Sequence, residues 1–184
     1  MYGASQTILM DSFDKLDEQY SRENIKIVEN ALNEAINKID STTGDWAVWE
    51  DSYFFVTDHN QNFSDRYLDA VTNTNLKINL MVYMDLSGKL VGSSAIDLQN
   101  QTEVPVSRYF SQLSEKNILF QHQGVGSTTK GILLLPEGPM LLSSWPVTDK
   151  GELPVGGTII LGRYLDESEI ERVRLCKNSL LSPP

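Results

Sequence analysis

An aromatic segment from Asp45 to Phe55 follows a long helical pattern, and together they constrain the fold more than any other part of the sequence. The segment holds Trp46 and Trp49, two of the chain's three tryptophans. With Tyr53 they recur at intervals of three and four residues, which places the three side chains on one face of a helix. An apolar face this large needs a partner, so we predict that it anchors the helix to the core of a domain.

The helical pattern before this segment extends from Gln6 to Ile39 without an internal glycine or proline. At about 1.5 Å per residue, it predicts a helix on the order of 50 Å long. The first half carries a narrow seam of the coiled-coil type, and the second half a wide stripe that suits packing on a domain. The seam is Leu9, Phe13, Leu16 and Tyr20, and the stripe is Ile27, Val28, Ala31, Leu32, Ala35, Ile36 and Ile39. We expect Gly44 to end this helix and Asp45 to cap a new turn.

The remaining chain alternates between helical and strand patterns, which is typical of an α+β fold. A helix capped by Ser64 is predicted over residues 65–73, another opens at Pro105, and a last one begins near Asp166. Five strands are predicted over residues 76–84, 89–96, 131–135, 140–147 and 158–164. Their tight turns favour an antiparallel sheet with helices on its faces. The sequence leaves the strand order open.

Composition narrows the partners of the chain. With 184 residues, 40% of them hydrophobic, the chain suffices for one domain with a helical extension. Its formal charge of −10 disfavours nucleic acid and an anionic membrane surface as direct partners. No apolar run is long enough to span a bilayer, the first five residues have neither the basic start nor the apolar stretch of a signal peptide, and the single Cys176 does not report a compartment. We interpret the sequence as a fragment excised from a longer protein.

The sequence offers no complete catalytic or metal-binding motif. The segment Gly124–Gly131 resembles a phosphate loop but lacks the glycine before its lysine and the hydroxyl residue after it. His59 and His122 are isolated from each other and from Cys176, so no zinc spacing exists. A triad built on His122 from residues distant in sequence stays open. We predict no enzymatic activity, no cofactor and no metal.

Four segments, in chain order, resemble the type-four CHASE family of extracellular sensory domains. They are the Asp-Trp-Ala-x-Trp-x-x-x-Tyr-x-Phe run from Asp45, the hairpin from Asn79 to Val91, the turn Glu137–Leu141 and the strand Gly157–Leu165. The resemblance implies a PAS-like, single-Cache-like fold: a five-stranded antiparallel sheet flanked by helices. Residues 5–44 would form a long membrane-linking helix, and residues 45–184 the sensory domain, as one structural unit.

The same resemblance implies the function of a non-catalytic extracellular or periplasmic sensor. The whole protein would be a transmembrane receptor such as a sensor histidine kinase or a cyclic-dinucleotide enzyme. In PAS-like domains a small-molecule pocket lies on one sheet face, beneath the segment between the second and third strands. Carried over to this chain, the pocket would be lined by Tyr83, Tyr109, His122, Ser143, Trp145 and Arg163.

Arg163 is a single arginine on an otherwise apolar strand, and its planar guanidinium suits a carboxylate. We therefore expect a small carboxylate as ligand, with His122 or Ser143 holding its other end. A solvent-exposed edge position explains Arg163 equally well, and core positions explain Tyr109 and Trp145. The alternative function is a ligand-free dimerisation and relay module. In either case the seam of the long helix predicts a parallel homodimer in the full-length receptor.

Overall fold

The structure is a computed structural model that describes residues 3–106, 119–120, 122 and 124–165, with side chains from residue 25 onward except that of residue 153. The chain divides into two compact units, one of which is Ala35–Leu165. The described part of the other unit, residues 3–34, is helical throughout. The predicted helix beyond Pro105 and the final helix from Asp166 lie outside the described residues, as do the side chains of the predicted seam.

The first helix, α1, spans Gly3–Ala47, which makes it 45 residues long. Our prediction that Gly44 ends this helix is wrong, because the helical hydrogen bond from the Val48 amide to the Gly44 carbonyl is present at 3.1 Å. The glycine has a packing role instead. A methyl group at position 44 would lie 3.2 Å from the Trp145 ring. Since the helix continues past it, Asp45 is not a capping residue either.

Three shorter helices follow: α2 (Glu50–Asp58), α3 (Gln61–Tyr67) and α4 (Ala70–Leu76). The single helix predicted over residues 65–73 is therefore two helices, capped not by Ser64 but by Asn60 and Asp69. Each cap side chain accepts a hydrogen bond from a first-turn amide, as N-caps do. Lys77 is left-handed and ends α4, so Leu76 is helical rather than the start of a strand.

The strands form one antiparallel sheet with the order β3-β2-β1-β6-β5-β4. Their bounds are β1 Leu80–Asp85, β2 Leu90–Asp97, β3 Thr102–Glu103, β4 Thr129–Leu135, β5 Gly138–Asp149 and β6 Glu152–Tyr164. The predicted α+β fold with a long N-terminal helix and an antiparallel sheet is confirmed. The two-residue β3 makes six strands rather than five.

The two faces of the sheet carry separate hydrophobic clusters, because successive side chains of a strand point to opposite sides. One face, which we call the helix face, packs against helical residues, and the other, which we call the opposite face, packs against Leu119 and Phe120. The buried strand residues of the helix face are Met81, Tyr83, Leu141, Val147, Ile159 and Leu161. Those of the opposite face are Leu80, Val82, Met84, Ala95, Leu135, Met140, Leu142 and Ile160.

The predicted anchor packs on the helix-face cluster, where Trp46, Trp49 and Tyr53 are each half-buried. The three residues do not share one helix, however. Trp49 has extended backbone angles (φ −81°, ψ 129°) and separates α1 from α2. The Trp46 and Trp49 rings still meet edge to face, with their centroids 5.4 Å apart. The wide apolar stripe of α1 is only partly covered, since Ile39 is buried while Val28 is 44% exposed.

Candidate functional site

A polar cluster joins α1 to strands β4 and β5 on the helix face. The Asp40 side chain, which is only 13% exposed, lies at its centre. Its Oδ1 accepts hydrogen bonds from Ser143 Oγ and Trp145 Nε1, each at 2.8 Å. Its Oδ2 accepts one from Lys130 Nζ at 2.7 Å, and this ammonium also donates to Asn37. We call these five residues the Asp40 cluster.

The electrostatics of the Asp40 cluster favour the ionised carboxylate. Burial alone would raise the pKa of Asp40. The hydrogen bonds from Lys130, Trp145 and Ser143, together with the positive charge of Lys130, outweigh burial and hold the pKa below its ordinary value of 3.8. At neutral pH the cluster is therefore a charge-assisted link between a helix and a sheet.

Tyr83 lies deeper on the same face and is fully buried. Its hydroxyl shares a 3.0 Å hydrogen bond with Ser52 Oγ on α2, and its ring meets those of Phe55 and Phe63 nearly edge to face. Burial raises the pKa of the phenol, so it stays protonated. With its ring packed and its hydroxyl paired, Tyr83 is a core residue that offers no surface to a ligand.

His122 lies on the opposite face, above β5. Its Nδ1 donates to the carbonyl oxygen of Ser127, since a carbonyl can only accept. Its Nε2 lies 3.1 Å from Ser144 Oγ, and the same hydroxyl lies 2.5 Å from the Leu119 carbonyl. These contacts fasten the chain around Leu119 and the turn at Ser127 to the sheet.

The hydrogen bonds of Ser144 depend on the protonation state of His122. Ser144 has one hydroxyl proton, which it can donate either to the Leu119 carbonyl or to Nε2 of neutral His122. Both bonds form together only when Nε2 carries a proton of its own, which makes His122 a cation. Burial lowers the pKa of His122, and the bond to Ser127 only partly offsets this. The neutral and the cationic imidazole therefore have different hydrogen-bond arrangements.

A pocket of about 310 Å³ opens beside His122 on this face. Met84 and Thr158 form its floor on strands β1 and β6, and Phe120 and His122 form one wall. Its lining residues are Met84, Asp85, Leu86, Gly88, Phe120, His122, Val155, Gly157 and Thr158. This volume lies at the lower end of the range for small-molecule sites.

Asp85 lines this pocket, and its carboxylate is held by the turn between β1 and β2. Its Oδ1 accepts from the amides of Ser87 and Lys89 and from the Ser87 hydroxyl, at 2.6–3.0 Å. The hydrogen bond from the Ser87 hydroxyl is the main cause that lowers the pKa of this carboxyl. The other polar side chains of the lining are those of His122 and Thr158.

The six residues that the sequence suggested for one site do not form one site. Tyr83, Ser143 and Trp145 belong to the helix face, as described above. Arg163 pairs with Leu141 across β5 and β6, so the strand register puts it on that face as well. His122 lies on the opposite face, and Tyr109 lies outside the described residues. Strand alternation is the physical reason, because it separates Ser143 from Ser144 and Arg163 from the His122 pocket.

Asp40, Lys130 and Ser144 were missed by the sequence reasoning. Asp40 directly follows the predicted helical pattern, which ends at Ile39, and nothing local in the sequence relates it to β5. The adjacent serines at 143 and 144 did offer a signal. Two small hydroxyl residues inside an apolar strand predict one buried hydroxyl on each face, and each of these needs a partner.

The described residues contain no group of three histidine, cysteine or acidic side chains arranged to hold a metal ion. None of the helices described in the structure combines the length and hydropathy needed to cross a lipid bilayer.

The fold is shared with two histidine kinase domains of known structure. The extracellular domain of vpHK1S-Z8, described as a histidine kinase, superposes with a TM-score of 0.58 at 12% identity, covering 82% of this chain and 60% of that one. The sensor domain of the histidine kinase DctB from V. cholerae gives a TM-score of 0.56 at 13% identity, covering 88% of this chain and 60% of that one. At such low identity the likeness establishes the fold alone.

Sequence similarity establishes the family. Residues 31–178 match the CHASE4 domain, and the chain belongs to that family. The methanogenesis regulatory histidine kinase FilI of Methanothrix harundinacea (strain 6Ac) is 30% identical over 167 residues. That match covers 89% of this chain and 19% of the relative, so the chain spans about a fifth of that kinase.

Proposed function

We propose that this CHASE4 domain is the extracellular or periplasmic sensory part of a membrane receptor of the sensor histidine kinase type, and that it is not itself catalytic. Membership of the CHASE4 family, the sensor-domain fold and the similarity to a histidine kinase support this role. The His122–Ser144 pair on the opposite face lacks an acidic third group to orient the imidazole, because the Nδ1 proton goes to a carbonyl. This hydrogen bonding favours a binding role over a catalytic one.

One observation carries the proposal further: β5 contacts both the pocket and α1 through adjacent residues. Ser144 reaches His122 at the pocket, and Ser143 reaches Asp40 on α1. A ligand that moves His122 would act on Ser144, and any shift of β5 would be felt one residue away by the Asp40 cluster. We propose this route as the path from ligand to helix.

The ligand of this sensor is a small molecule in the His122 pocket, with small organic acids as the first candidates. The carboxylate expectation began from Arg163, which the strand register places on the other face. A thermal-shift screen of organic acids and amino acids against wild type, His122→Ala and Arg163→Ala separates the two residues. A ligand stabilises the fold in proportion to the logarithm of its concentration above Kd. Loss of the shift in His122→Ala and its retention in Arg163→Ala supports the pocket, and the reverse result refutes it.

The second candidate function is a relay without a small ligand. The helix face favours it, because Tyr83, Ser143 and Trp145 are all paired within the protein. The full-length receptor distinguishes the candidates through a pocket-filling variant, Val155→Phe. A sensor loses its response when the pocket is filled, while a relay retains it. Asp40→Ala impairs the response in both cases and serves as the control.

We further propose that the receptor is a parallel homodimer joined along Leu9, Phe13, Leu16 and Tyr20 of α1. Apolar residues at alternating spacings of four and three support a two-stranded seam. Single cysteines at Leu9 and Phe13, introduced into a Cys176→Ser full-length receptor, should cross-link between subunits. Equal or stronger cross-linking at Asp14 and Glu18 would exclude this seam.

A further inference from the structure

A second concave site lies away from the His122 pocket, where the end of α1 meets α3 and α4. It is a groove of about 380 Å³. Its walls are the aromatic rings of Trp46, Trp49 and Tyr67, and its remaining lining residues are Asp45, Thr72, Asn75 and Leu76. We call it the aromatic groove. None of its lining residues takes part in the proposed sensor pocket.

The three rings stand almost at right angles to one another. The interplanar angles are 88° between Trp46 and Trp49, 73° between Trp49 and Tyr67, and 80° between Trp46 and Tyr67. The ring centroids lie 4.9–5.9 Å apart, so the rings touch and brace each other. Three mutually perpendicular planes make the corner of a box. All three rings line the groove.

Aromatic ring faces carry negative electrostatic potential, which attracts cations. The charged residue that lines the groove, Asp45, is also negative. Asp45 is exposed, and the whole chain has a formal charge of −10. Lys130 pairs with Asp40, and Lys150 pairs with Glu50 and Asp149, so neither ammonium group is shown to neutralise Asp45.

The aromatic walls of the groove favour a quaternary ammonium over a primary one. A primary ammonium has three N–H donors that need acceptors, and ring faces offer only weak ones. A quaternary ammonium has no N–H group, and its methyl groups pack on ring faces while its charge interacts with them. Thr72 and Asn75 add polar groups to the lining, which suit a hydroxyl on the same molecule.

We propose that the aromatic groove binds a small quaternary ammonium compound with a choline-like head group. The rings of Trp46, Trp49 and Tyr67 hold the methylated nitrogen, and Asp45 supplies the neutralising charge. The site goes beyond the sensor role proposed above. It uses other residues, so either proposal can fail without the other.

Two-dimensional NMR of the indole N–H groups tests the site, with choline, tetramethylammonium and the neutral choline isostere 3,3-dimethylbutan-1-ol as probes. The cations should shift the Trp46 and Trp49 signals with saturation and leave Trp145 in place. The isostere should bind about tenfold more weakly, because it lacks the charge. Equal affinity for choline and the isostere would overturn the proposal, and so would unchanged Trp46 and Trp49 signals.

Two variants locate the charge. Asp45→Asn should weaken choline binding severalfold, while Asp51→Asn, which removes an exposed carboxylate outside the groove, should leave the Kd unchanged. Trp49→Leu should abolish binding, and its circular dichroism spectrum shows whether the fold persists. If it does not fold, the Asp45→Asn and Asp51→Asn pair decides alone. Equal losses from the two asparagine variants would show a non-specific charge effect and refute the site.

Discussion

The buried polar groups on the two faces of the sheet differ in how completely they are hydrogen-bonded. On the helix face, the Asp40 carboxylate and the Tyr83 hydroxyl are satisfied by side chains of the same domain. On the opposite face, the single Ser144 proton can be donated to only one of two acceptors when His122 is neutral. A pocket of about 310 Å³ lies beside the imidazole. The Asp40 cluster is thus a closed network, while the Ser144–His122 pair has two alternative arrangements.

This difference shows how one strand can serve both a fixed joint and an adjustable site. Adjacent residues of β5 belong to different faces, so Ser143 holds α1 while Ser144 holds the wall of the pocket. A closed network resists deformation, because each broken bond leaves a buried polar group unpaired. We therefore propose that a change at Ser144 reaches α1 as a displacement rather than being absorbed locally.

The largest effect should follow loss of the helix-face joint. Asp40→Ala removes the common acceptor of Lys130, Ser143 and Trp145, and we expect the free energy of unfolding to fall by about 3 kcal/mol. Urea denaturation measures this. Glu50→Ala is the control: its ion pair with Lys150 is long, at 3.8 Å, and exposed. It should cost no more than about 0.5 kcal/mol. Similar losses in both variants would show that Asp40 contributes no more than a surface charge.

A smaller loss is expected at the end of α1. Trp49 is half-buried, so Trp49→Ala should cost about 2 kcal/mol rather than the 3–5 kcal/mol typical of a fully buried tryptophan. Leu134→Ala, at a side chain that is 79% exposed, should change stability by less than about 0.5 kcal/mol. An unchanged melting temperature in Trp49→Ala would refute the anchor role of the aromatic segment.

Tyr83→Phe tests whether the core of the helix face needs its polar pair. The substitution keeps the ring but leaves Ser52 Oγ without its phenol partner, so we expect a loss of about 1 kcal/mol in thermal or urea unfolding. The double variant Tyr83→Phe with Ser52→Ala should recover part of it, since no hydroxyl is then left unpaired. A double variant less stable than Tyr83→Phe would contradict this explanation.

The smallest effect, and the one that best separates the faces, is the pH dependence of stability. His122 has a folded pKa below 6.5, so the unfolded chain takes up the proton first and stability falls as pH drops below 6.5 toward the folded pKa. Asp40 has a folded pKa below 3.8, so its contribution is present above pH 3.8 and is lost as pH falls through the folded value.

His122→Asn should remove the first limb of this profile, and Asp40→Asn should reduce the second. Urea midpoints measured across the acid range resolve both limbs. A first limb that persists in His122→Asn would assign it to another group.

Much of the fold could be predicted from the sequence, because it depends on local patterns. Alternation indicated the strands, and the uninterrupted helical period indicated α1. Gly44 was wrongly predicted to end the helix, because its role depends on packing against Trp145, which is distant in sequence. The two-residue β3 is too short to leave a periodic pattern.

The candidate site could be predicted only in part. Ser143 and Trp145 were predicted to line a ligand pocket, but their partner in the structure is Asp40, which is 103 residues from Ser143 and could not be assigned without the packing of α1 on β5. His122 lies in irregular chain, where no period tells which sheet face it covers. Positions that depend on a local pattern, in helices and strands, could thus be predicted better than positions in loops, which have no such pattern.

The indole N–H signal of Trp145 directly reports the proposed coupling of the two faces through β5. In a titration from mildly alkaline to mildly acidic pH, this signal should move with the midpoint of the His122 ring. The Trp46 and Trp49 signals should not follow that midpoint. The movement of the Trp145 signal should disappear in His122→Asn, which leaves His59 as the remaining histidine. A Trp145 signal that stays constant while His122 takes up its proton would contradict the coupling.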